Sequence, residues 1–144
     1  MTSTNFAYKE DGILPDGSKV PDIPFINLLI VRRDLKKGLM GESIIDTGFD
    51  AAIYANLKLA EFLEGVRPTR TSELQATGHS IGCEVFTVEC HVVNVHSKTV
   101  LTLGRVEVYC PVDPVDLSED VIVGRAILNR LTLHLDGKLT KVFV

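Results

Sequence analysis

Ser43-Ile44-Ile45-Asp46-Thr47-Gly48-Phe49-Asp50 is an apolar run that delivers one aspartate into a Thr-Gly turn. A strand ending this way holds a carboxylate on a tight bend. Gly48 permits close backbone approach there, and the Thr47 hydroxyl can bond across to a neighbouring chain. The later run Asp120-Val121-Ile122-Val123-Gly124-Arg125-Ala126-Ile127-Leu128-Asn129-Arg130 reads as a second buried strand that stops at Gly124 and turns helical.

Around these two segments the chain is written mostly in the strand period. Residues 23–31 are apolar and bounded by Pro21 and Pro24, residues 42–46 form the next strand, and residues 71–110 alternate with many Val, Thr and Ile. Thr77-Gly78-His79 marks a turn inside that stretch, and Asp136-Gly137 a hairpin between strands 132–135 and 138–144. Two short helices are expected. One covers 56–63, with Leu57, Ala60 and Leu63 at helical spacing and Gly65 and Pro68 to stop it; the other covers 124–131. Residues 2–20 carry turn signals at Asp11-Gly12 and Asp16-Gly17 and form either a hairpin or a terminal arm. The fold class is all-β.

The chain has 144 residues, enough for one domain over 1–144 with a core that needs no disulfide or metal. Its formal charge of -4 and scattered basic residues argue against a nucleic-acid surface. The clusters Arg32-Arg33 and Lys36-Lys37 read as a solvated turn. Cys83, Cys90 and Cys110 cannot all pair within one chain and read as small buried hydrophobes. No charged-then-apolar leader opens the sequence, so a reducing cytoplasm is the expected compartment. Apolar runs such as 28–31 fall far short of the roughly 20 residues that span a bilayer, and no membrane partner is expected. His79, His91, His96, Cys83 and Cys90 show no metal-ligand spacing, and Cys90 and His91, being adjacent in a strand, point to opposite faces. Neither metal nor cofactor is expected.

In order and separation the two opening segments resemble those of the retropepsin-like aspartic proteases, and Asp-Thr-Gly-Phe resembles a group of small prokaryotic predicted aspartyl proteases. The resemblance covers residues 42–144. It implies a closed β-barrel of the acid-protease fold with one or two short helices, and Asp46 as the catalytic residue. It implies support of the active-site loop by Thr47, Gly48, Asp50, Gly124 and Arg125, with Asp50 and Arg125 as an ion pair locking the loop to the helix. It also implies a flap at Leu74-Gln75-Ala76-Thr77-Gly78-His79-Ser80-Ile81. Substrate would then lie extended against Gly48, Phe49, Ile53, Ala76, Thr77 and Gly78. Phe49 would either fill part of the cleft or anchor the core.

Peptide hydrolysis by carboxylates needs two of them sharing one proton, and no second Asp-Thr-Gly or Asp-Ser-Gly occurs. The expected active form is therefore a symmetric homodimer acting as an aspartic endopeptidase on a peptide or protein substrate. The terminal strands, 139–144 above all, would pair their open edges at the interface. The alternative is a non-catalytic dimerisation or peptide-binding module of the same fold.

Overall fold

A computed structural model describes residues 2–143; Met1, and Val144 at the end of the expected last strand, lie outside it. The elements are β1 (Ser3–Ala7), β2 (Phe25–Arg32), β3 (Lys37–Ile45), β4 (Ile53–Tyr54), α1 (Leu57–Phe62), β5 (Arg70–Ala76) and β6 (His79–Asn94). They continue with β7 (Thr99–Pro111), β8 (Val121–Val123), α2 (Arg125–Leu128), β9 (Thr132–Leu135) and β10 (Leu139–Phe143). Six strands in the order β2-β3-β8-β4-β7-β6 close into a barrel through pairing of β2 with β6, and β5 hangs on the outer edge of β6. The all-β class and the closed barrel agree with the sequence reading.

Alternation builds the barrel wall. In β2, Ile26, Leu28 and Ile30 are buried while their neighbours are half-exposed, and in β6 the inward set is Phe86, Val88, Cys90 and Val92. Strand β7 changes parity: Leu101 and Leu103 point inward, then Val106 and Val108. The switch is made by a bulge where Cys90 faces Gly104 but His91 faces Thr102, with Gly104 at φ 76°. A glycine accepts that conformation without a Cβ penalty, and the extra residue returns apolar side chains to the core.

Two local expectations change. The buried residues are Leu59 in α1 and its C-cap Leu63, one turn apart, while Leu57, in the first turn that the Asn56 side chain caps at the Leu59 amide (3.0 Å), is 58% exposed. Arg32 is not part of a solvated turn. It is buried, and its Nη1 donates to the carbonyls of Phe62 (3.0 Å) and Glu64 (2.7 Å) at the end of α1 while Asp34 neutralises the guanidinium. The charge closes a helix end against the barrel.

The two ends of the chain build a second sheet, in the order β1-β10-β9. The N-terminal segment is thus both a strand and an arm: β1 pairs with β10, and residues 8–23 form an arm with bridges Lys9↔Ile23 and Ile13↔Lys19. Asn94 fixes this sheet to the end of β6 by donating to Thr4 Oγ1 (2.9 Å) and the Asn5 carbonyl (2.8 Å). Strand β10 has neighbours on both sides. The expectation that residues 139–144 offer an open edge to a second copy is therefore not met, because β1 and β9 already occupy both edges. Among the described residues no helix is long and apolar enough to cross a membrane.

Two stability predictions arise here. The Thr140 hydroxyl is buried without a hydrogen-bond partner among the described residues, so Thr140→Val is expected to stabilise the protein by about 1 kcal/mol in chemical denaturation. At the β9–β10 turn, the amides of Leu139 and Lys138 donate to Asp136 and hold its carboxyl below the usual range. A depressed folded-state pKa contributes stability above the unfolded value of about 3.9, and the contribution disappears as pH falls through the folded value. Asp136→Asn should thus lower the Tm at neutral pH, and the gap to the parent should close in strong acid.

Candidate active site

Strand β8 runs between β3 and β4, parallel to β3 (Ile45↔Val123) and antiparallel to β4 (Ile53↔Val123). Residues 46–52 must therefore cross over the end of β8. Asp46 starts the crossing with its amide bonded to the Val123 carbonyl (3.0 Å). The turn then tightens: the Phe49 amide reaches the Asp46 carbonyl (3.2 Å) and the Gly48 amide reaches Asp46 Oδ1 (2.9 Å). One carboxylate oxygen is fixed by the backbone, and the side chain stands at the exposed surface.

The start of α2, directly after β8, holds the crossing from below. The amides of Gly124, Arg125 and Ala126 donate in turn to the carbonyls of Ala52 (2.8 Å), Phe49 (2.8 Å) and Ala51 (3.3 Å). The first turn of α2 thus satisfies its own free amides and three loop carbonyls at once. This closeness requires glycine. A Cβ on residue 124 would lie 2.3 Å from the Ala51 carbonyl oxygen and 2.5 Å from that of Phe49.

The loop forms the floor of a cleft of about 400 Å³, with Asp46, Gly48 and Phe49 at its base. Tyr54 and Ile122 form one wall, and Leu74, Ala76 and Ile81 of the β5–β6 hairpin face it. Phe49 has two contacts here. It lines the cleft, and it packs edge-on against Tyr54 with ring centroids 6.1 Å apart. Thr77 and Gly78 form the exposed hairpin tip, with Gly78 at φ 82°. The Thr47 hydroxyl is exposed and makes no hydrogen bond among the described residues. A smaller depression of about 250 Å³, lined by β2, β3 and the start of α1, contains Glu42 and Asp120, but Lys9 binds both, at 3.1 and 3.5 Å.

Two expected contacts differ. Asp50 and Arg125 both sit at the cleft and are exposed, yet among the described residues they form no ion pair; the loop is locked by backbone bonds instead. Ile53 is fully buried in the barrel core and cannot touch a substrate. Its neighbour Tyr54 lines the cleft instead, since adjacent strand residues face opposite ways. The Tyr54 hydroxyl donates to the Asp116 carbonyl, and burial pushes its pKa up to about 12, so the ring remains a neutral wall. Beneath it, burial raises the Cys83 thiol to about 11, which removes a thiolate nucleophile from the site. Among the described residues no three His, Cys, Asp or Glu side chains converge to hold a metal.

No protein-family model matches the chain, and no curated protein does. Among solved structures it is similar to the crystal structure of a retropepsin-like aspartic protease from Rickettsia conorii. The match has 14% identity and a TM-score of 0.53, and covers 96% of this chain and 98% of the other. At that identity the likeness speaks to the fold.

The contact beneath the loop can be tested by Gly124→Ala. Its Cβ would press on two backbone oxygens that cannot swing away, so a loss of at least about 3 kcal/mol, or failure to fold, is expected in urea denaturation.

Proposed function

We propose that the protein is an aspartic endopeptidase, active as a symmetric homodimer in the cytoplasm, that needs neither metal nor cofactor. The observation that carries this reading is Asp46 itself: an exposed carboxylate with one oxygen held by the Gly48 amide, on the floor of a cleft faced by a hairpin. Each chain supplies half of a dyad. No hydrogen bond joins Asp46 to Asp50 or Glu73, the other acids of the cleft, so its partner in this reading is Asp46 of a second copy related by a two-fold axis. The unengaged Thr47 hydroxyl would bond across the same axis.

Two carboxylates at hydrogen-bond distance hold one proton between them, because both cannot ionise so close together. The ionised one takes a proton from the attacking water, and the protonated one donates to the scissile carbonyl. The tetrahedral intermediate collapses as a proton passes to the leaving amine. Substrate would lie extended between the loop and the hairpin, so that main-chain bonds supply affinity and the apolar wall of Phe49, Tyr54 and Ile122 supplies preference.

Asp46→Asn is expected to lower kcat/KM on a peptide library at least about a thousand-fold, within the range ascribed to general acid–base groups, with no change in fold. The parent should show a bell-shaped pH profile on the acidic side of neutrality, and its specific activity should fall on dilution as the dimer dissociates. A parent that binds peptides without cleaving them, with binding unchanged in Asp46→Asn, would instead identify a binding module on the same scaffold. A monomer that retains activity would rule out the shared dyad.

A further inference from the structure

The hairpin over the cleft is a cantilever. Among the described residues strand β5 pairs only with β6, and the pairs from Glu73↔Gly82 to Ala76↔His79 lie beyond the last β6–β7 pair, Cys83↔Pro111. The root pairs, from Arg70↔Val85 to Ser72↔Cys83, rest against β7. At this root the Arg70 side chain reaches across β6. Its Nε and Nη2 meet the two oxygens of Glu107 at 3.0 and 3.1 Å, Nη2 meets the Tyr109 hydroxyl at 2.7 Å, and the guanidinium lies 5.5 Å from the Tyr109 ring centre. Among the described residues no other ion pair joins β5 to the barrel.

We propose that Arg70 is a positioning residue: its two-pronged bond to Glu107 and its contact with Tyr109 set the angle at which the hairpin overhangs the cleft. This rests on the proposed peptidase reading only for its kinetic consequence. Tyr109 makes the coupling specific, because it packs with Tyr54, Cys83 and Val85, and Phe49, Leu74, Ile81 and Ile122 pack on the same cluster. The clasp therefore grips the hairpin root and the cleft wall together. A bidentate guanidinium–carboxylate pair fixes direction as well as distance, which lysine cannot reproduce.

The test is hydrogen exchange on the full chain, read in peptides covering residues 72–82. In Arg70→Ala these amides should exchange about three- to five-fold faster, as expected for loss of one exposed pair, while the barrel strands stay protected. The swap Arg70→Glu with Glu107→Arg should restore much of the protection. Arg33→Ala, which breaks a surface pair with Glu89 on β6 away from the hairpin, should leave residues 72–82 unchanged. Unchanged exchange in Arg70→Ala, or equal acceleration in Arg33→Ala, would overturn the proposal. On peptide substrate, Arg70→Ala should raise KM several-fold with kcat nearly constant, and a fall in kcat alone would refute the positioning role. If the parent hydrolyses nothing, the peptidase reading fails while the exchange result still decides the clasp.

Discussion

Everything near Asp46 depends on a missing side chain. Strand β8 threads between β3 and β4, so the loop from 46 to 52 has to pass over its end, and that loop would leave its carbonyls unsatisfied without donors beneath. The amides of Gly124, Arg125 and Ala126 supply them, and they approach closely enough only because residue 124 has no Cβ. The carboxylate is thereby aimed by backbone geometry. Backbone bonds are insensitive to salt and to titration of side chains, so the aim of Asp46 does not depend on the charges of Asp50 or Arg125 around it.

The cleft combines this rigid floor with a less supported upper side. The floor is tied to the barrel on both flanks, whereas the hairpin beyond Cys83 is held by its own strand pairing, the packing of Leu74 and Ile81 and one bond from the Val112 amide to the Gly82 carbonyl. In the proposed peptidase such a site would keep Asp46 fixed while the covering hairpin yields to a bulky chain. Tyr54 lies at the junction. Its ring supports Phe49, its hydroxyl is engaged by the Asp116 carbonyl, and its strand pairs with β7 beside Tyr109.

The sequence was most readable where local chemistry leaves one option. Asp46-Thr47-Gly48 and the apolar run ending at Gly124 announced the crossing loop and its support, and Thr77-Gly78 and Asp136-Gly137 placed two hairpins. It was least readable where the answer depends on distant partners. A two-residue strand such as β4 has no alternation to count, so Ile53 and Tyr54 could not be assigned to core and cleft by pattern. Arg32 resembles any surface arginine until the end of α1, thirty residues on, is brought beside it. The parity change in β7 depends on a bulge at Gly104 that only the β6 register reveals. The absent Asp50–Arg125 pair shows that a motif can keep its residues while another set of bonds performs the locking.

The arrangement of the smaller sheet also orders the events of folding. Its central strand, β10, comes after every other strand in the chain, and one of its neighbours is β1, so Ser3 must find Phe143. During synthesis β1 has no partner until β10 has emerged, and Asn94 can hold Thr4 only once the barrel hairpin exists. Contacts of such long sequence separation carry a high loop-closure entropy and form late. The barrel and its Asp46 loop can assemble from segments nearer in sequence, leaving the terminal sheet as the slow closing step and its exposed strands as the stretch most open to mispairing before then.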